Sequence, residues 1–108
     1  MGYDGGMVTL DKIFSLREEI EEVGRENGIE FLGVFGSAAR GEDRLDSDVD
    51  LLARFKSGVR IGFFEWARIE QRLSDKLGKK ADLIIQDALK PRIKDRVYSD
   101  LKVIYGQP

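Results

Sequence analysis

The sequence predicts a small α/β or α+β domain with one central sheet, and three observations carry that expectation. Apolar residues recur at helical spacing at Leu10, Ile13, Leu16, Ile20 and Val23, and again at Phe63, Trp66, Ile69, Leu73 and Leu77. Between and after these lie apolar runs of strand length: residues 29–35, the segment anchored by Val49, Leu51 and Leu52, and residues 81–85. Glycines stand where such segments should stop, at Gly28, Gly36 and Gly78. At 108 residues the chain can bury one core but not two. Residues 1–8 are expected to be a flexible N-terminus and residues 9–106 the folded domain.

Taken in order, the first helix should start at Thr9, an N-cap type, with Asp11 in its first turn and Gly28 as its stop. Its other face is rich in glutamate (Glu18, Glu19, Glu21, Glu22, Glu26) and reads as a solvated face. A buried strand over 29–35 closes at Gly36. Ser37, Ala38, Ala39 and Arg40 can begin a short helix, and residues 42–47 form a polar connection to the second strand. An exposed turn follows over 54–60 around Ser57 and Gly58. The helix over 63–77 should turn Phe63, Trp66, Ile69, Leu73 and Leu77 inward, and Trp66 reads as core rather than a base-stacking platform. Strand alternation over 81–85 puts Asp82 and Ile84 on one face and Ala81, Leu83 and Ile85 on the other. Pro91 can start a last helix with Ile93 and Val97 inward, before a short final strand over 101–105.

Composition excludes several chemistries. There is no Cys and no His, so thiol nucleophiles, disulfides, imidazole bases and the usual zinc sites are absent. A metal site here must be all oxygen, which selects Mg²⁺, Mn²⁺ or Ca²⁺. The net charge of -2 argues against non-specific coating of nucleic acid. No apolar run approaches the ~20 residues of a membrane span, and no signal-peptide pattern opens the chain. A cytoplasmic protein with no direct nucleic-acid or membrane partner is the expectation.

One stretch points to chemistry. Asp48 and Asp50 lie two apart on the second strand and so share a face, at a repeat of roughly 6–7 Å. Aspartate is depleted in strands, and two like charges so placed repel unless a cation lies between them. Opposite them, Gly36 lets a ligand approach the backbone, and the Ser37 hydroxyl can donate to a phosphate oxygen. Read apart, the pair could be a solvated strand end and Gly36-Ser37 an ordinary turn. Together they make an anion site beside a cation site.

Gly36-Ser37, then ten residues, then Asp48-Val49-Asp50 resembles the G-S-x₁₀-D-x-D signature of the DNA polymerase β-like nucleotidyltransferase superfamily. The run GSAARGEDRLDSDVDLL is similar to its small minimal nucleotidyltransferase (MNT) branch, and ADLIIQDALKPRIKDRV to that family's third strand and final helix. The likeness covers most of residues 10–105. It implies a palm core, a small mixed sheet flanked by helices. It also implies a third carboxylate, for which Asp82 matches by position, with Asp75 and Asp87 as rivals. Two Mg²⁺ ions, in such sites about 3.5–4 Å apart, would then sit on Asp48, Asp50 and Asp82, and ATP would be the substrate. Gly36 and Ser37 would grip its phosphates. Arg40 would add a charge contact or else pair with Glu42, Asp43 or Asp46.

The same likeness implies an antitoxin that moves AMP onto a hydroxyl of a HEPN-domain toxin. Two alternatives stand beside it: a silent module that masks the toxin by binding, and a transferase for a small molecule. The basic residues Lys90, Arg92, Lys94 and Arg96 face nucleotide, partner or solvent, and the assembly is a homodimer or a hetero-oligomer with the toxin.

Overall fold

The computed structural model describes residues 9–42 and 48–108. The flexible N-terminus expected over 1–8, and all but the first residue of the polar connection expected over 42–47, lie outside the described residues.

Four strands form one mixed sheet: β1 (Ile29–Phe35), β2 (Val49–Phe55), β3 (Ala81–Ile85) and β4 (Lys102–Tyr105), in the order β3-β2-β1-β4. β1 pairs antiparallel with both β2 and β4, while β2 and β3 run parallel. The parallel pair is joined by the long helix α4 (Phe63–Leu77), as a parallel crossover requires.

The single helix expected from Thr9 to Gly28 is divided at Leu16 into α1 (Leu10–Ser15) and α2 (Arg17–Glu26). Thr9 does cap it, its Oγ1 accepting the Lys12 N–H at 3.2 Å. At the break, the Ser15 hydroxyl donates to Lys12 O at 2.6 Å, the local competition that makes serine a weak helix former. The break lets Ile13 and then Ile20 and Val23 all reach the core. Gly24, mid-helix in α2, lies under Tyr105: a Cβ there would collide with the tyrosine oxygen. That hydroxyl donates to Ile29 O at 2.7 Å and ties the C-terminus to β1. Burial pushes it above its ordinary titration range.

The two faces of the sheet are packed unequally. Leu32, Val34, Leu51, Ala53 and Leu83 join Ile13, Ile20, Val23, Ile69, Leu73 and Leu77 in the main core, under α1, α2 and α4. The opposite face carries a smaller cluster of Phe31, Leu52 and Val97 with α5 (Pro91–Asp100) across it, while α3 (Gly36–Ala39), which touches α5, buries Ala38 and Ala39 in the main core. Two inward assignments need correction. Phe63 is 72% exposed, because it is the first residue of α4 and its side chain leans back toward the helix start, its ring near those of Phe64 and Trp66. Ile93 is 42% exposed, because α5 meets the sheet only from Val97 onward. Trp66 is partly buried against the main core, as expected. Among the described residues no helix is long and apolar enough to cross a membrane.

Candidate active site

The thinly covered face is the one that carries the acidic residues. Val49 and Leu51 point into the main core and Leu52 into the smaller one, so alternation sends Asp50 to the α5 face. The parallel register pairs Asp50 with Asp82, and the antiparallel register pairs Asp50 with Phe35, the last residue of β1. Asp50 therefore sits in the middle strand with Asp82 on one side and the Gly36 turn on the other. Gly36 has φ +73, and a Cβ there would collide with Oδ2 of Asp50. The signature glycine thus serves two ends, a left-handed turn and room for the central carboxylate.

The electrostatics are those of a crowded acidic site. Burial, then the charges of Asp82 and Asp48, push Asp50 up to about 6, opposed by Arg40. Asp82 is raised as well, by burial and then by its hydrogen bond with Asp48 and that residue's charge, with Lys80 opposing. As placed, the carboxylates do not close on a common point: among the described residues no three acidic side chains are gathered tightly enough to hold an ion. The donor set nonetheless fits a hard cation. Three carboxylates stand on, or one residue before, two adjacent hydrogen-bonded strands, and two of them are raised by burial and then by their neighbours' charges, a cost that a cation would relieve.

The remaining candidates divide. Ser37 is the second residue of α3, directly after the Gly36 that lies against Asp50. Arg40 is committed to two carboxylates: Nη1 donates to Asp100 at 2.6 Å and Nε to Glu42 at 3.1 Å. The Glu42 pairing was one of the expected alternatives, whereas Asp43 and Asp46 lie outside the described residues. Asp100, sixty positions away, carried no local signal. Asp75 accepts from Gln71 Nε2 at 2.9 Å on the exposed face of α4, away from Asp50. Asp87 lines a hollow of about 320 Å³ with Phe55, Val59 and Ile61, at the other end of β2 and β3 from the carboxylates. Only Asp82 of the three rivals stands opposite Asp50. Lys80 lies 3.6 Å from Asp48 and 3.9 Å from Asp82.

Comparison with known proteins bears on the family and the fold. The model of the family "Polymerase beta, Nucleotidyltransferase" matches residues 18–108. A relative in Thermococcus cleftensis, named protein adenylyltransferase MntA, is 34% identical over 88% of this chain and 95% of its own. A solved structure assigned as a minimal nucleotidyltransferase superposes with a TM-score of 0.73 at 33% identity, covering 87% of this chain and 94% of that one. A further likeness is to a chain in the complex of a tri-AMPylated Shewanella oneidensis HEPN toxin with its MNT antitoxin. There the TM-score is 0.65 at 17% identity, over 86% of this chain and 71% of that one, and it supports the fold.

Proposed function

Because the chain belongs to the polymerase β nucleotidyltransferase family, we propose that it moves AMP from ATP onto a hydroxyl of a HEPN-domain toxin, as its antitoxin. The observation that carries the reading is the register of Asp50 between Asp82 and the Gly36 turn, on the sheet face that α5 leaves largely open.

In this reading Asp48, Asp50 and Asp82 hold the divalent cations, Mg²⁺ in the cell. The chemistry supplied by Mg²⁺ at such a site is neutralisation of triphosphate charge and a lowered pKa for the acceptor hydroxyl. The chain's own residues do the rest. The Ser37 hydroxyl and the amide after Gly36 donate to phosphate oxygens and fix the triphosphate in line. The acceptor oxygen attacks the α-phosphorus, the bond to the β-phosphate oxygen breaks, and pyrophosphate leaves. Asp82, whose carboxyl is raised above its ordinary range by burial and by its hydrogen bond with Asp48, takes the acceptor's proton. Arg40 braces α3 against α5 through Asp100, and its charge favours the ionised form of Asp50. ATP as donor places the reaction in the cytoplasm, and residues 9–106 form the catalytic unit.

The test uses ATP labelled at the α-phosphate, Mg²⁺ and lysate of the protein's own host. Label on one protein band that is lost with Asp48→Asn supports the assignment. Substantial labelling by that variant contradicts it.

A further inference from the structure

Among the described residues Lys80 pairs with two of the three carboxylates, and its position follows from the backbone. The Val49 N–H donates to Lys80 O at 2.9 Å, which pins the residue beside the start of β2. The register Val49↔Ala81 and Asp50↔Asp82, carried one step back, sets Lys80 opposite Asp48. Alternation then puts Asp48, Asp50, Lys80 and Asp82 on one face of the strand pair, three negative charges and one positive. Its ammonium reaches both outer carboxylates, Asp48 at 3.6 Å and Asp82 at 3.9 Å. Both distances exceed a direct charged hydrogen bond of about 2.7–2.9 Å, so the attraction is Coulombic and loose. The side chain is also 62% exposed, free to swing into water.

We propose that Lys80 is a built-in counter-cation, which holds Asp48 and Asp82 together while no metal is bound and is displaced when a divalent cation enters. The inference rests on the metal-site reading above. It makes the lysine a positioning residue with two opposed effects. Without metal, it offsets carboxylate repulsion and stabilises the fold. Against metal, its like charge at the same oxygens lowers affinity, so it sets the cation concentration at which the site fills.

The experiment titrates the full chain with Mn²⁺ alone, following free Mn²⁺ by electron paramagnetic resonance, and records thermal unfolding of the metal-free proteins. Lys80→Met keeps the stem and removes the charge, and Lys80→Arg keeps the charge. Lys80→Met is expected to bind Mn²⁺ at least about fivefold more tightly, with the gap shrinking at high salt, and to unfold at a lower temperature without metal. Lys80→Arg is expected to stay near wild type in both. Equal or weaker Mn²⁺ binding by Lys80→Met overturns the lysine's role while leaving the metal site standing. If neither wild type nor variant binds Mn²⁺, the metal site itself falls, and the displacement with it.

Discussion

Asp50 shows how a functional carboxylate weakens the fold that holds it. Its folded-state titration point, about 6, lies above the ordinary 3.8, so ionising it costs more in the folded than in the unfolded chain. Its contribution to stability is therefore greatest in acid, and it declines as pH rises from about 4 to 6. Asp82 is displaced in the same direction. Asp50→Asn should raise the unfolding temperature of the metal-free protein at pH 7 by a few degrees and flatten its decline between pH 4 and 6, while ending AMP transfer. Calorimetry across that pH range checks it, and an Asn variant less stable than wild type at pH 7 would count against the site's electrostatics. Gly36 answers to the same atoms. Gly36→Ala must force an alanine to φ +73 and drive its Cβ into Asp50, so we expect a loss of about 1–3 kcal/mol in urea unfolding and no transfer.

At the scale of elements, α4 does more than bury a stripe. Trp66, Glu70 and Ser74, four residues apart, run along the open edge of β3. Ser74 Oγ accepts from Ala81 N at 2.8 Å, Glu70 Oε2 accepts from Leu83 N at 2.8 Å, and Trp66 Nε1 donates to Leu83 O at 3.1 Å. A helix face thus covers the edge that a foreign strand would otherwise extend. Glu70→Ala should cost about 1–2 kcal/mol by leaving an edge amide unpaired, and should increase self-association in light scattering at high concentration.

The limits of β1, α4 and β3 were legible in the sequence, because period and glycine stops are local: Ile29–Phe35, Phe63–Leu77 and Ala81–Ile85 form as expected. The edge caps were not. Apolar spacing puts Trp66 in the core but says nothing of Leu83 O, because strand order is decided by distant pairing. Arg40 with Asp100, and Lys80 opposite Asp48, escaped for the same reason: each is a matter of register between elements far apart in the chain. Phe63 falls on the inward spacing yet is exposed, because spacing alone does not reveal how much of a helix's first turn the rest of the fold covers.

At the scale of the molecule, the decisive feature is the unequal covering of the two sheet faces. Three helices close one face, and the other has a cluster of three buried side chains beside the carboxylates. Burial is concentrated on the face away from the carboxylates, and under the proposed function the thinly covered face receives nucleotide and partner. Of the ten residues of α5, only Val97 is buried, so the helix offers the basic residues Arg92, Lys94 and Arg96 on an exposed surface beside that face.

The central claim is AMP transfer by the Asp48, Asp50 and Asp82 site to a protein partner. It is tested most directly by the intact mass of the HEPN-domain protein of the same host, purified and incubated with this chain, ATP and Mg²⁺. The account predicts a gain of one or more AMP units with wild type and none with Asp48→Asn/Asp50→Asn. A partner left at its original mass by wild type, yet silenced equally well by wild type and the double variant, would contradict it and make binding alone the function.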